Sequence, residues 1–571
     1  MLKSISLNSY WNIRFDEEDR GIEDNWHINQ PDSLESIWVP SCWNELREEY
    51  LHYVGVAWYY KKFLYRESPE AKRQVLFFNG INYKCRIWLN GKQVGRHTGG
   101  FTPFEVDITN AVVKNGENFL VIRVDSTITN MTSPPYGVDW FNYGGIYRDV
   151  QLLETGEAWI DDVTVRTKMS GDVGIKVDIG SFTPGPHYAL ELCVNEKEKA
   201  ASVYSLSYTA ASSCSCIDLK LEQPKLWSPD TPYLYEFMIV LKRDNEIQDI
   251  WEHKIGVREF SIKNRQVYIN EKRVNLRGYA KHEEYPMLGR TFSYDIVRKD
   301  YEICKQGNAN LVRLVHYPHH LQEYEIASET GMVAIAEVPN VNFKKEQFMN
   351  PELLELAVNQ MKETIKYCKN EACIMFWSLF IECKTYEDAA VEFVRKYIQL
   401  ARESDPTRFT VHASDIPLED RTYEYFDVVG INYWRGWYGG HTIEEGSSLL
   451  DKIAARYPDK PVLMTSGGWE GLYGSHSYRG NVKWSEESQA DYLEKLTEMY
   501  IAKPYIIGQV VWTFNDFRVW PWVTDGNAYW PNRPMEMNYK GAVDCFRRPK
   551  LAYYRLQETF KKWDGRGNCD L

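Results

Sequence analysis

The sequence predicts a multidomain protein: an N-terminal β-sandwich of the jelly-roll type, an immunoglobulin-like β-sandwich and a C-terminal (β/α)8 TIM barrel. Three observations support this. The chain has 571 residues, enough for several domains. Its first half contains short strand-like segments separated by turn residues. From about residue 258, apolar strands alternate with helical segments, as in parallel α/β folds. We place the domains at residues 1–155, 156–257 and 258–571.

The first domain is predicted from runs of aromatic and β-branched residues. These runs are WYYKKFLY (58–65), RQVLFFNGI (73–81), KCRIWLNGKQVG (84–95) and ENFLVIRVD (117–125). Asn79-Gly80 and Asn90-Gly91 are dipeptides that favour the positive φ angles of tight hairpin turns. The segment therefore predicts an all-β sandwich or jelly roll.

The second domain is again strand-like but shorter. It contains IDDVTVRT, GIKVDIG, HYALELCVN and LYEFMIVLKRD, separated by segments rich in Pro and Ser such as PKLWSPDTPYLY. Several short strands at regular spacing predict a small immunoglobulin-like sandwich.

The third domain is predicted from eight strand-then-helix units, which follow a hairpin expected around Asn270-Glu271. PELLELAVNQMKETIKYCKN and SEESQADYLEKLTEMYIA have helical periodicity. A doubly wound open sheet is the alternative, but a barrel leaves no strand over. The expected strands are 274–280, 309–317, 333–338, 373–380, 408–414, 426–434, 460–468 and 506–514.

Composition limits the classes of partner. The net charge of −13 disfavours nucleic acid and anionic membranes, and no apolar run is long enough to span a bilayer. The start of the chain shows no secretory signal, and the 11 cysteines are scattered, which indicates reduced thiols and a cytoplasmic protein. Aromatic residues make up 14%, which suits large cores or a carbohydrate cleft. We expect a small-molecule or carbohydrate ligand and no metal or other cofactor; homo-oligomerisation stays open.

In a TIM barrel the functional groups follow the carboxyl ends of the strands. Carboxylates, aromatic rings and an Arg/His set at one mouth suit the chemistry of polyols. The residues at these positions are Lys281 to Glu283, Arg313 to Tyr317, Glu337, Glu382, His412, Asp415, Asn432 to Trp437, Ser466 to Glu470 and Trp512 to Asp516.

An ordered series of short strings carries a resemblance to a known family. The chain resembles glycoside hydrolase family 2, most closely its bacterial β-glucuronidase branch, over nearly its whole length. The strings are FNGINYKCRIWLNGKQVGRHTGGFTPFEVDIT, DWFNYGGIYRDV, KHEEYP, HYP, INYWRGWYGG, WSEESQ, VVWTFNDF, MNYKGAVD and RRPK.

The resemblance implies a retaining mechanism with two carboxylates, an acid/base and a nucleophile. Glu382 matches the acid/base in the family pattern W-S-x-x-N-E, but Ile381 replaces the Asn that contacts the sugar. The nucleophile pattern T-E-[YF]-G reads Thr465-Ser466-Gly467-Gly468, so Ser466 occupies the nucleophile position. Glu470 lies four residues later, and the pattern assigns it to the following loop.

The resemblance also implies residues that bind substrate. Asn538-Tyr539-Lys540 matches an N-x-K signature that clamps the carboxylate of a uronic acid, and a cation there is physically sensible because charge-assisted hydrogen bonds are strong. Arg533 is expected to assist it. Trp434 replaces a family tyrosine. The substrate-binding positions are Asp139, His316, Ile381, Trp434, Tyr438, Trp512, Arg533, Asn538 and Lys540.

These departures predict impaired hydrolysis, because a neutral hydroxyl cannot stabilise the cationic transition state as a carboxylate does. Two alternatives of other kinds stay open. In the first, the pocket catalyses a different reaction. Either Phe380 and Ile381 raise the pKa of Glu382 so that it acts as a general base on an apolar carbon acid, or Ser466 pairs with His412 or His316 as in an esterase. Otherwise the protein is a non-catalytic binder. The sequence leaves open whether design or divergence produced these changes.

Overall fold

The computed structural model describes residues 1–196, 202–438, 442–479, 482–520 and 534–564. The N-terminal region is a sandwich of a six-stranded and a four-stranded antiparallel sheet, with spatial orders β3-β2-β4-β9-β6-β7 and β1-β10-β5-β8. Its strands are β1 (Lys3–Ser6), β2 (Ser9–Asp16), β3 (Glu35–Val39), β4 (Val56–Tyr65), β5 (Arg73–Phe78), β6 (Lys84–Leu89), β7 (Lys92–Thr98), β8 (Phe104–Asp107), β9 (Gly116–Asp125) and β10 (Val150–Thr155).

One of the two predicted hairpin turns in this region forms. Asn90 and Gly91 have φ angles of 53° and 79° and join β6 to β7. The prediction for Asn79-Gly80 is wrong, because β5 pairs with β10 and β8 rather than with β6. Gly80 instead makes room for a side chain: a Cβ there would lie 3.0 Å from Arg148 Cδ.

The second region is a sandwich of two antiparallel sheets with the orders β11-β12-β15 and β14-β13-β16-β17. Alternate residues of the paired strands are buried between the sheets, as the immunoglobulin-like prediction requires. The strands are β11 (Trp159–Thr167), β12 (Asp172–Gly180), β13 (Tyr188–Glu196), β14 (Tyr204–Ala210), β15 (Cys214–Lys220), β16 (Tyr235–Arg243) and β17 (Glu246–Ile255).

The third region is a closed barrel of eight parallel strands, so the open-sheet alternative is excluded. The predicted hairpin at Asn270-Glu271 precedes it, between β19 and β20. All eight predicted strands are present. The strands are β18 (Phe260–Lys263), β19 (Gln266–Ile269), β20 (Lys272–Arg273), β21 (Leu276–Lys281), β22 (Leu311–Leu314), β23 (Val333–Glu337), β24 (Ile374–Ile381), β25 (Phe409–Ser414), β26 (Val428–Asn432), β27 (Val462–Ser466), β28 (Ile506–Val511), β29 (Phe517–Arg518) and β30 (Met537–Asn538).

The barrel helices begin where the sequence supplies capping residues. Asn350 accepts a hydrogen bond from the backbone of Leu353, with Pro351 in the first turn, and Ser485 caps the helix that begins at Glu486. Among the described residues, no helix combines the length and apolar character needed to cross a membrane. The helices are α1 (Tyr294–Gln306), α2 (Leu321–Thr330), α3 (Lys345–Phe348), α4 (Pro351–Cys368), α5 (Asp388–Ser404), α6 (Ile443–Arg456), α7 (Glu486–Ile501) and α8 (Leu551–Asp564).

The N-terminal sandwich contacts the mouth of the barrel through a buried ion pair. The Arg148 guanidinium lies 2.7 Å from the Glu283 carboxylate, and both side chains are fully buried. The same Arg148 nitrogen donates to the Pro318 carbonyl oxygen at 2.7 Å. Removing one member of such a pair is strongly destabilising, since the other charge stays buried without a partner. The sandwich is therefore fixed against the loops that follow β21 and β22.

Candidate active site

Glu382 lies at the mouth of the barrel, directly after β24. Its φ angle of 53° turns the chain out of the strand, and its backbone N–H donates to the Ala413 carbonyl at 2.8 Å, next to the end of β25. The Asn432 amide and the Trp434 indole N–H donate to Glu382 Oε1 at 2.8 and 2.9 Å. Glu382 Oε2 accepts no hydrogen bond from the part of the chain that the structure describes. One carboxylate oxygen is therefore held, and the other is available to a ligand.

Ser466 ends β27 and pairs in register with Asn432 on β26. The Ser466 side chain is buried, and its hydroxyl has no hydrogen-bond partner among the described residues. The preceding residue, Thr465, donates from its hydroxyl to Asn432 Oδ1 at 2.9 Å. That bond orients the Asn432 amide so that its NH2 group faces Glu382. Asn432 thus joins Glu382 to Thr465, the residue before Ser466 at the end of β27.

An ion-pair network centred on Arg313 contacts the end of β27. Arg313 donates to Glu337 at 2.6 Å and to the Thr465 carbonyl at 2.7 Å. Burial by itself would raise the pKa of Glu337, but the charge of Arg313 and the hydrogen bond from His316 hold that pKa below its usual value. Burial lowers the pKa of His316, so its imidazole is neutral near pH 7.

The lysine of the predicted uronate clamp already has partners within the protein. Lys540 is fully buried and lies 2.7 Å from Glu470 and 3.0 Å from the Tyr438 hydroxyl. Its ammonium also lies 5.1 Å from the centre of the Trp437 ring, a favourable cation–π position. A ligand carboxylate that reached Lys540 would meet the negative charge of Glu470 as well.

The remaining described residues that were predicted to bind substrate lie at the same mouth. Asn538 donates to Asp139 at 3.3 Å, which joins the N-terminal sandwich to the clamp. The Trp512 ring stacks on His316 with centroids 5.0 Å apart and meets the Trp434 ring edge-on at 5.9 Å. Rings in such positions form a wall against which a sugar or an aromatic aglycone can pack.

Asp415 is a carboxylate close enough to Glu382 to be affected by its charge. It follows β25 and bonds Lys384 at 3.1 Å. Burial and the neighbouring charge of Glu382 raise the pKa of Asp415 to about 6. Asp415 was predicted only as one of many strand-end residues, and Lys384 was not predicted at all. No sequence signal pairs the two, because the pairing depends on the adjacent ends of β24 and β25.

The structure therefore brings together the predicted residues Glu382, Ser466, Asp139, His316, Ile381, Trp434, Tyr438, Trp512, Asn538 and Lys540 at one end of the barrel. Arg533 lies outside the described residues. Ile381 is buried at the end of β24, immediately before Glu382.

The prediction that Phe380 and Ile381 together desolvate Glu382 fails for Phe380, and its Ile381 part stays a prediction. Phe380 contacts Tyr397 and Phe393, with ring centroids 5.0 and 6.2 Å apart, in the layer between the barrel and its helices. Successive strand residues point to opposite faces, and the ladder is irregular at Phe380, so this ring does not desolvate Glu382.

The esterase-like pair also lacks a contact. No hydrogen bond among the described residues joins the Ser466 hydroxyl to a histidine. His412 lies with Nδ1 3.0 Å from Asp420, and His316 bonds Glu337. Each imidazole lies against a carboxylate, and neither is hydrogen-bonded to Ser466 among the described residues.

Among the described residues, one cluster has the spacing of metal ligands, Glu283, His319 and Glu323. Its charges already have protein partners. Arg148 binds Glu283, and Lys281 lies 2.8 Å from Glu323. These cations occupy the role that a metal ion would play, so we assign the cluster a structural role.

Three family models match almost the whole chain. Residues 4–156 match the family description "Glycosyl hydrolases family 2, sugar binding domain", residues 158–258 match "Glycosyl hydrolases family 2", and residues 260–525 match "Glycosyl hydrolases family 2, TIM barrel domain". The chain is 28% identical to a beta-glucuronidase of Paenibacillus borealis, over 97% of this chain and 96% of that protein. It is 26% identical to the Homo sapiens beta-glucuronidase, over 97% and 90% respectively.

Solved structures give the same result. The crystal structure of Ruminococcus gnavus beta-glucuronidase superposes with a TM-score of 0.88 at 27% identity, covering 98% of this chain and 97% of that one. A complex of that enzyme with D-glucuronic acid matches with a TM-score of 0.87 at 28% identity and the same coverage.

Proposed function

The chain belongs to glycoside hydrolase family 2, and from this membership we propose that its barrel mouth binds β-linked glucuronides, that Glu382 is the proton donor, and that Ser466 disables the usual double displacement. The sugar carboxylate is directed to Lys540 and Asn538. The sugar ring packs near Trp512 and Trp434. The protein is therefore a glucuronide-binding member of the family with strongly reduced turnover.

The observation that carries this proposal is the absence of a charge at Ser466. A retaining mechanism needs a second carboxylate facing the proton donor. The neighbouring acids have other partners: Glu337 bonds Arg313, Glu470 bonds Lys540, and Asp415 bonds Lys384. None of these acids extends from the end of β27, where the family pattern places the nucleophile.

The expected loss is large. Replacing a central catalytic group typically costs on the order of 10⁴-fold in rate, or about 5 kcal/mol of barrier. Binding suffers less, because Lys540, Asn538 and the aromatic wall do not depend on residue 466. Two measurements therefore test the proposal: isothermal titration with D-glucuronic acid, and release of nitrophenol from 4-nitrophenyl β-D-glucuronide.

The expected result is measurable binding together with slow release. Release as fast as from an intact family member would contradict the assignment of Ser466. Absence of binding to glucuronic acid would contradict the assignment of the clamp. The control is Tyr554→Phe on α8, an exposed side chain whose ring contacts Tyr553; it should leave both measurements unchanged.

The two other chemistries, a Glu382 general base and a serine–histidine pair, stay hypotheses. A general base acting on a carbon acid would use the same Glu382 carboxylate, and its Oε2 atom has no described hydrogen-bond donor. The serine–histidine alternative has no supporting contact. Loss of aryl-ester hydrolysis in Ser466→Ala would support the serine nucleophile. Loss of activity on carbon acids in Glu382→Gln would support the general base.

A further inference from the structure

We propose that the N-terminal sandwich sets part of the selectivity for a uronic acid, because Glu45 and His52 hold the strand pair that carries Asn538 of the clamp. Both are positioning residues that act on the ligand through Asn538. The inference rests on the proposed function, since it requires that the clamp receives a sugar carboxylate. It deepens that function by assigning selectivity to side chains of a domain other than the barrel.

The clamp amide lies on a very short strand pair. Phe517 in β29 lies opposite Asn538 in β30. The Asn538 amide nitrogen donates to Asp139 at 3.3 Å, and its Oδ1 accepts the backbone N–H of Lys540 at 3.1 Å. Two paired strands of two residues each have little stability of their own. The position of Asn538 therefore depends on the contacts that hold this pair.

Two ion pairs hold the strand pair from the N-terminal sandwich. Arg518 in β29 lies 2.9 Å from Glu45, and Glu536, just before β30, lies 3.0 Å from His52. The Val519 N–H donates to the Glu536 carbonyl at 2.8 Å, which continues the pairing past the ends of the strands. One ion pair thus reaches each of the two strands.

Glu45 and His52 lie on one braced loop. Between them in the sequence, Tyr50 is held by Asn44, whose side-chain amide donates to the Tyr50 carbonyl at 3.1 Å. The Asn44 side chain is buried, and its Oδ1 accepts the backbone N–H of Gly144 at 2.8 Å. The loop therefore presents the two ion-pairing side chains as one unit.

Aromatic rings fill the same interface. The His52 ring meets the Trp520 ring edge-on at 5.7 Å, and Trp520 lies 4.9 Å from the Phe141 ring. The Phe141 N–H donates to the Arg518 carbonyl at 3.2 Å, and the Arg518 guanidinium lies 5.4 Å from the centre of the Phe141 ring. Phe141 belongs to the loop that carries Asp139. The sandwich thus supplies both the partner of the clamp amide and the support beneath it.

Lys540 is held by the barrel as well. Its carbonyl accepts the Thr513 N–H at 3.0 Å, and the N–H of the next residue, Gly541, donates to Asp516 at 2.9 Å. Thr513 and Asp516 both follow β28. Loss of the two ion pairs should therefore weaken the contribution of Asn538 and leave most of that of Lys540.

The experiment uses the full chain and isothermal titration with D-glucuronic acid and glucose. Glu45→Met with His52→Leu removes both ion pairs; their side chains are 21–36% exposed, so folding should tolerate the loss. We expect the preference for glucuronic acid over glucose to fall about fivefold, with glucose affinity unchanged. In an Asn538→Ala background the same two substitutions should leave the preference unchanged, because the residue through which they act is gone.

A charge exchange and a matched control complete the design. Glu45→Arg and Arg518→Glu should each lower the preference, and the two together should restore it, because the ion pair forms again with its charges reversed. Glu67→Met is the control: it breaks the ion pair to Lys114, of similar exposure, on the sandwich itself. It should leave the preference as in the wild type.

The outcomes separate this inference from the proposed function. Equal loss of affinity for both sugars in the variant that lacks both ion pairs would overturn the inference and leave the clamp in place. A further fall in the Asn538→Ala background would also overturn it, since another residue would then carry the effect. If the wild type shows no preference for glucuronic acid, the clamp itself fails and the inference fails with it. If the variant that lacks both ion pairs does not fold, as thermal unfolding would show, the charge exchange decides the question.

Discussion

Removing the charges of the clamp should abolish the preference for a uronic acid over a neutral sugar. Lys540 and Glu470 lie 2.7 Å apart and are almost completely buried. A single Lys540→Met substitution would leave Glu470 charged and buried, which typically costs about 3–5 kcal/mol of stability. The informative variant is therefore the double substitution Lys540→Met with Glu470→Gln, which removes both charges and keeps similar volumes.

The size of the effect follows from the contact. A hydrogen bond to a charged group contributes about 1.5–3 kcal/mol, so the double variant should bind D-glucuronic acid about 10- to 150-fold more weakly. Glucose lacks the carboxylate, so its affinity should change little. Glu470→Gln alone keeps Lys540 and removes a competing negative charge, and it should bind glucuronic acid more tightly than the wild type does.

Isothermal titration of both sugars at pH 7 checks this, with thermal unfolding to confirm that each variant is folded. The reasoning would be refuted if the double variant lost affinity for both sugars equally, since that would mean that Lys540 supports the shape of the pocket and does not contact the carboxylate. It would also fail if Glu470→Gln weakened glucuronic acid binding, since Glu470 would then position Lys540 rather than compete for it.

Three further outcomes are expected. Ser466→Glu with Ile381→Asn should raise hydrolysis of 4-nitrophenyl β-D-glucuronide by at least about 100-fold over the wild type, because it returns a nucleophile; no gain would place the nucleophile elsewhere. In that revertant, Thr465→Val should lower kcat about tenfold, because Asn432 loses the bond that orients its amide toward Glu382; an unchanged kcat would remove Thr465 from this role. Burial and the charge of Glu382 raise the pKa of Asp415 in the folded protein to about 6, above its unfolded value. The stability that this shift contributes is present near pH 4 and is lost as the pH rises through 6. The thermal midpoint of Asp415→Asn should therefore fall less than that of the wild type between pH 4 and 7.

The sequence alone determined the architecture of this protein. Strand-like runs, turn dipeptides and alternating strand and helix segments predicted both sandwiches and all eight barrel strands, because these patterns record which faces of each element are buried. Ordered short strings predicted the family, and with it the positions of Glu382 and Ser466. One turn at Asn79-Gly80 was mispredicted, because the tertiary pairing of β5 overrode the local preference of the dipeptide.

Only the tertiary structure decided which side chains meet. Glu470 and Lys540 are separated by 70 residues, and Glu382 and Trp434 by 52. The second contact forms because closure of the barrel brings the ends of separate strands to one mouth, and the first because the segment after β30 packs against that mouth. The same closure puts Asp415 beside Glu382 and leaves the Ser466 hydroxyl buried without a described partner. Local patterns specify the face and period of each element, whereas partners across the barrel depend on strand register and on the direction in which each side chain leaves its strand.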